Sequence, residues 1–144
     1  MLSQRAKESL SWIVYCNMVG GQDELVFDGN SLIVDHTGVV RARGAAFKED
    51  LLLFDIDTTA ATTARLKDMR FQSLRKATKK PTVVYGSAAQ KERFPLAPLT
   101  TTVMTETEEL YSALVLGTRD YVRKNGLEQV VIGISGGIDS ALVL

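Results

Sequence analysis

The chain of 144 residues holds one cysteine, one histidine, one tryptophan and three prolines, and its 17 basic residues balance 17 acidic ones. Each scarcity excludes something. A lone Cys16 excludes an internal disulfide framework and fits a reducing compartment. His36 has no second histidine to share a metal with, so a zinc centre built on His and Cys is not indicated. A formal net charge of zero gives no bulk attraction to nucleic acid or to an anionic membrane. No stretch approaches the roughly 20 apolar residues that a membrane span requires. The opening Met1-Leu2-Ser3-Gln4-Arg5-Ala6-Lys7-Glu8 has no apolar signal core. With 45% hydrophobic residues this is the composition of a globular protein. The cytoplasm is the expected location; nucleic acid and membrane are not expected partners.

What is present concentrates near the end of the chain. An apolar run, Val130-Val131-Ile132-Gly133-Ile134, precedes Ser135-Gly136-Gly137-Ile138-Asp139-Ser140, and the helix-capable Ala141-Leu142-Val143-Leu144 follows. Strand, glycine loop, helix start is the layout of a phosphate cradle. The start of a helix carries unpaired N–H groups and the positive end of the dipole. Gly136 and Gly137 let the backbone approach an oxyanion, and Ser135 and Ser140 add hydroxyl donors. The loop lacks the lysine of a Walker A motif, and its glycines are not spaced as in the dinucleotide fingerprint. Ser-Gly-Gly-x-Asp-Ser instead resembles the pyrophosphate loop of the ATP pyrophosphatase superfamily, enzymes that cleave ATP between its α- and β-phosphates. The resemblance implies that Gly133, Ile134, Ser135, Gly136, Gly137, Ile138, Asp139 and Ser140 wrap the phosphates of ATP. A carboxylate beside phosphates is repelled unless a cation lies between them. In that superfamily the cation is Mg²⁺, so the resemblance implies Mg²⁺ at Asp139. Taken alone, Asp139 is equally a first-turn acid favoured by the helix dipole.

Upstream, residues 11–19 are rich in β-formers and Gly20-Gly21 would end that strand. Leu32-Ile33-Val34 and Val39-Val40 flank the turn sequence Asp35-His36-Thr37-Gly38, which predicts a hairpin with His36 exposed at its tip. Residues 51–57 read as a further strand, so the first part predicts three or four strands with no closing helix layer. Residues 58–63 read as a boundary. Residues 64–78 read as a basic helix with Leu66, Met69 or Arg70, and Leu74 near one face, a solvated or inter-domain element rather than a nucleic-acid patch. Lys80-Pro81 would stop that helix. Residues 82–102, with Pro95 and Pro98, read as a linker. Thr105-Glu106-Thr107-Glu108 fits a capping box. Leu110, Tyr111, Leu114, Val115, Tyr121 and Val122 then recur at helical spacing, and Asn125-Gly126 supplies a stop. A strand over 128–134 should lead into the loop.

The two ends carry a joint resemblance. The stretch Val14-Tyr15-Cys16-Asn17-Met18-Val19-Gly20-Gly21-Gln22-Asp23-Glu24-Leu25-Val26-Phe27-Asp28-Gly29, with Asn30-Ser31-Leu32-Ile33-Val34-Asp35 and Gly38, resembles the late strands of nitrilase-type amidohydrolase domains. Its Gly-Gly-Gln-Asp-Glu-Leu-Val-Phe-Asp-Gly core is similar to the bacterial glutamine-dependent NAD synthetase family. Tyr111, Gly117, Arg119-Asp120-Tyr121-Val122-Arg123-Lys124-Asn125-Gly126 and the loop are similar to the synthetase domain of that family. The resemblance implies an α/β fold in three parts. Residues 1–57 would be the C-terminal part of a nitrilase-like αββα sandwich and 58–102 a linker with a basic helix. Residues 103–144 would be the first helix–strand–loop unit of a doubly wound adenine nucleotide α-hydrolase-like domain. It implies ATP, nicotinic acid adenine dinucleotide and glutamine as substrates, Mg²⁺ as cofactor, and a homo-oligomeric full-length protein.

The resemblance also implies what is missing. The nitrilase-type Glu, Lys and Cys lie upstream of this segment in the family, so no catalytic residue is assigned here. Cys16 sits in a strand run without the context of a nucleophile, and a small buried apolar role is expected for it. Asp23, Glu24 and Asp28 are expected to shape turns and the glutamine pocket or domain junction rather than bind metal. The expectation is a fragment of the parent enzyme that performs neither half-reaction alone. The alternatives are another amidotransferase with the same phosphate loop, a non-catalytic remnant or adaptor, and a nitrilase-type amidase with an unrelated tail.

Overall fold

A computed structural model describes residues 1–74, 96 and 103–144 of the chain. The linker expected over 82–102 and the basic residues Arg75, Lys76, Lys79 and Lys80 lie outside them, residue 96 apart. The described residues form two compact units that interleave along the chain.

The first unit is built on a three-stranded antiparallel sheet. Its strands are β1 (Ile13–Tyr15), β4 (Leu32–Val34) and β5 (Val40–Arg43), with β4 in the centre. The predicted hairpin is β4–β5, closed by a turn in which Gly38 N–H donates to Asp35 O at 2.8 Å and Asp35 N–H donates to Val39 O at 2.9 Å. Val34 pairs with Val40 but Ile33 pairs with Ala42, so Arg41 is an extra residue in the ladder. Such a bulge re-aims the side chain it carries. Here Arg41 Nε reaches Asp35 Oδ2 at 2.5 Å. Ile33, Val34 and Ala42 are buried, as is Ala6 of α1 (Leu2–Ser9), the helix that comes against β4. The expectation that no helix layer covers these strands is therefore corrected: the charged opening segment folds as α1 and buries Ala6.

Three further expectations change in this unit. Residues 51–57 do not form a strand. Leu52 and Phe54 turn inward and Leu51 and Leu53 outward, with Phe54 beside Trp12 at 5.9 Å between ring centroids. The segment alternates as a strand does, but no strand lies beside it among the described residues to complete a ladder. Residues 58–63, expected as a boundary before the helix, are themselves helical, and residues 64–74 are not one continuous helix. Asp57 Oδ1 accepts Thr59 N–H at 2.8 Å and caps α2 (Thr58–Lys67). Asp68 then breaks the helix by accepting Arg70 N–H at 2.8 Å and starts α3 (Met69–Leu74). An aspartate competes for backbone donors and favours such caps over helix interiors. Leu66 and Met69 are exposed, so the expected apolar face is not buried among the described residues.

The second unit joins a hairpin to a long helix. The hairpin is β2 (Val19–Gln22) and β3 (Leu25–Asp28), in register from Val19–Asp28 to Gln22–Leu25. Gly20 and Gly21 do not end a strand; they lie inside β2, opposite Phe27 and Val26. Asp23 and Glu24 form the two-residue tip, with Asp23 in the left-handed region at φ 52°. Asp28 Oδ1 accepts from Asn17 Nδ2 at 2.9 Å, at the open end of the hairpin. The helix is α4 (Glu106–Lys124). Its capping box is complete: Thr105 Oγ1 accepts Glu108 N–H at 3.3 Å, and Glu108 Oε2 accepts Thr105 N–H at 2.8 Å. Asn125 and Gly126 end it, Gly126 at φ 68°. Among the described residues no helix is long and apolar enough to cross a membrane.

Candidate functional site

After Gly126 the chain runs without regular structure to the loop and the six-residue α5 (Ile138–Val143). The strand expected over 128–134 is not formed. A parallel strand exists only as a member of a sheet, and no neighbour for it stands among the described residues. Val131 is accordingly open to solvent. The helix after the loop begins at Ile138, inside the hexapeptide rather than after it.

The loop itself has a defined geometry. Gly136 adopts φ 81°, a left-handed conformation that a side chain disfavours, and Gly137 is extended and caps α5. This turn folds the two serines together: Ser135 Oγ lies 3.2 Å from Ser140 Oγ. Gly137 N–H donates to Ser135 Oγ at 3.4 Å, and Ser140 Oγ donates to Gly137 O at 3.0 Å. The first N–H to bond back within α5 is Ala141, to Gly137 O at 3.2 Å. The N–H groups of Ile138, Asp139 and Ser140 precede the helical ladder, the position from which backbone donors can meet an anion. A Cβ at Gly133 or Gly136 would meet nothing within 4 Å, so the loop is open on its outer side. Two convergent hydroxyls and a short run of backbone donors suit a tetrahedral oxyanion.

Asp139 stands exposed in the first turn of α5, and no hydrogen bond or ion pair engages its carboxylate among the described residues. No cluster of three or more His, Cys, Asp or Glu side chains forms a metal cage among those residues. A single carboxylate beside a loop that suits an oxyanion is compatible with Mg²⁺, since that ion keeps waters and takes one or two carboxylates together with phosphate oxygens.

The remaining candidates are placed as follows. Cys16 is exposed, not buried as expected. It falls between β1 and β2, outside either ladder, where no strand neighbour covers it among the described residues. His36 is half-buried rather than exposed, and its Nδ1 is enclosed without a hydrogen-bond partner among the described residues. The turn that carries it lies against α1: a Cβ on Gly38 would fall 2.6 Å from Ser3 O. Gly21, expected to end a strand, and Gly117, Asp120 and Lys124, expected only as part of the family resemblance, bring the hairpin and α4 together. The available signal was Gly117, a glycine inside an otherwise helical pattern, which marks close backbone approach.

Two family models match separate stretches of the chain. Residues 1–65 match the carbon-nitrogen hydrolase family and residues 110–144 match the NAD synthase family. The glutamine-dependent NAD(+) synthetase of Aquifex aeolicus is 43% identical over 99% of the chain, and that of Thermotoga maritima is 41% identical over 99%. The chain spans 25% of the length of each. A solved glutamine-dependent NAD+ synthetase from Acinetobacter baumannii, in complex with adenosine diphosphate, superposes with a TM-score of 0.66 at 32% identity. That alignment covers 99% of this chain and 21% of that one. The chain is thus similar to glutamine-dependent NAD+ synthetases over nearly its whole length, and spans a quarter or less of theirs.

Proposed function

We propose that this chain is a segment of a glutamine-dependent NAD+ synthetase, a cytoplasmic homo-oligomer, and spans the junction between its two halves. In this reading residues 1–57 belong to the nitrilase-like αββα glutaminase and 58–102 to the linker. Residues 103–144 open the doubly wound synthetase domain. The observation that carries the reading is the order of features on one chain: a carbon-nitrogen hydrolase match, then an NAD synthase match that contains the Ser135–Ser140 turn. An amidase with an unrelated tail does not account for the second match. An amidotransferase with another glutaminase fold does not account for the first.

The full-length protein would hydrolyse glutamine and use the ammonia to amidate nicotinic acid adenine dinucleotide. A carboxylate oxygen of the dinucleotide attacks the α-phosphorus of ATP and pyrophosphate leaves. Ammonia then attacks the activated carbonyl and AMP leaves, giving NAD+. The step needs stabilisation of charge that builds on the departing pyrophosphate. Residues 133–140 would supply it: the Ser135 and Ser140 hydroxyls and the N–H groups at the start of α5 donate to phosphate oxygens. Gly136 and Gly137 give the backbone its close approach. Asp139 would hold Mg²⁺, which neutralises phosphate charge when bound. The glutaminase Glu, Lys and Cys are not assigned to any residue of this chain.

The test uses the full-length protein with ATP, nicotinic acid adenine dinucleotide and amide-¹⁵N glutamine. The expected products are ¹⁵N-labelled NAD+ with AMP and pyrophosphate in equal amounts. Formation of ADP and phosphate, or no label in the dinucleotide, would refute the proposal.

A further inference from the structure

The hairpin β2–β3 and helix α4 come from segments that match two different families, yet they join within one compact unit. They meet at the backbone of Gly21. Its N–H donates to Asp120 Oδ2 at 2.8 Å and its carbonyl accepts from Lys124 Nζ at 2.5 Å, while Lys124 also reaches Gln22 Oε1 at 3.3 Å. A Cβ on Gly21 would fall 3.1 Å from Gly117 Cα, and one on Gly117 would fall 3.1 Å from Val26 Cγ2. Gly117, Asp120 and Lys124 are spaced three and four residues apart, so they share one face of the helix. The acid takes the N–H and the base takes the C=O of one residue. A one-residue slip of the strand would break both bonds, so the pair fixes register as well as proximity. Asp120 is largely buried, and the Gly21 N–H holds its carboxyl below the usual range, with Arg119 and Lys124 adding to the effect. None of these four residues belongs to the phosphate loop.

We infer that Gly21, Gly117, Asp120 and Lys124 form a clasp that couples the glutamine-hydrolysing half of the protein to the ammonia-consuming half, with Asp120 as its positioning residue. This rests on the function proposed above. A clasp fixed at backbone distance holds the two parts in one geometry, which the passage of ammonia from one to the other requires and the chemistry at either site does not.

The test compares NAD+ formation by the full-length protein with glutamine and with an ammonium salt. In Asp120→Ala the glutamine-supported rate should fall about tenfold, the scale of an ordinary coupling between sites. The ammonium-supported rate should hold, and more ammonia should escape to solution per NAD+ formed. Asp120→Asn keeps an acceptor for the Gly21 N–H and should recover most of the coupling. A parallel fall of both rates, or no change in either, would overturn the proposal. Hydrogen exchange at the Gly21 amide, slow in the unaltered protein and fast in Asp120→Ala, reads the clasp without any catalytic assay; an unchanged rate would overturn the clasp itself. Failure to make NAD+ from either nitrogen source would instead reject the function on which the coupling rests.

Discussion

Replacing Asp35 by asparagine tests how one buried carboxylate holds the β4–β5 hairpin. Asp35 is almost fully enclosed, at 1% exposure. Its Oδ1 accepts Thr37 N–H at 2.8 Å, Thr37 Oγ1–H at 2.6 Å and Val39 N–H at 3.1 Å, and its Oδ2 accepts Arg41 Nε–H at 2.5 Å. An asparagine has one acceptor oxygen. If that oxygen keeps the Thr37 and Val39 bonds, its NH₂ faces the Arg41 donor and the charge-assisted bond is lost. Such bonds contribute about 1.5–3 kcal/mol. Arg41 is half exposed and regains water, which reduces the cost, so Asp35→Asn should destabilise the hairpin by about 2 kcal/mol. The loss should also depend on pH. Burial alone would raise the carboxyl, but the hydrogen bonds from Thr37, Val39 and Arg41 outweigh it and hold it well below the usual carboxylate range. A depressed folded-state value means that the unfolded chain takes up the proton first. The stabilisation is then fully present above the unfolded value of about 4 and is lost as pH falls through the folded one. Hydrogen exchange at the Asp35 and Gly38 amides, measured for both proteins from neutral pH downward, gives the assay. Equal protection at neutral pH, or a difference that does not shrink in acid, would refute the reasoning.

Other substitutions separate the remaining contributions. Thr105→Ala removes the capping box of α4 and should cost about 1 kcal/mol, read as a lower thermal midpoint with faster exchange in the first turn of the helix. Gly21→Ala places a methyl group 3.1 Å from the Gly117 backbone, which must shift by a few tenths of an ångström, and should cost about 1–3 kcal/mol, whereas Gly133→Ala, with open space around it, should leave stability unchanged. Thermal unfolding of the pair checks this, and equal effects would contradict the close-approach argument. Cys16, being exposed, should react with a thiol reagent in the folded protein; protection until denaturant is added would contradict its placement.

The local signals were legible where a few neighbouring residues decide the outcome. The capping box at Thr105, the Asn125-Gly126 stop, the Asp35–Gly38 turn and the glycine loop each depend on chemistry within one or two turns of chain. Reading failed where the outcome depends on a distant partner. Residues 51–57 and 128–134 have the composition of strands, but a ladder needs a neighbour that no local pattern supplies. Gly20-Gly21 reads as the end of a strand because the helix that comes against Gly21 lies about a hundred residues away. Asp57 and Asp68 were overlooked as caps because the threonines of α2 weaken its helical pattern, although an aspartate before an Ala-rich run is an available start signal. The loop geometry was readable in kind, while the pairing of Ser135 with Ser140 required the left-handed turn at Gly136 to be seen.

The most direct measurement follows one oxygen atom. Nicotinic acid adenine dinucleotide labelled with ¹⁸O in its carboxylate is given to the full-length protein with ATP and ammonia, and the phosphorus products are examined by ³¹P NMR. If residues 133–140 serve a synthetase that adenylates this carboxylate, AMP carries one ¹⁸O and pyrophosphate carries none. Label in pyrophosphate or inorganic phosphate, or AMP without label, would contradict the account.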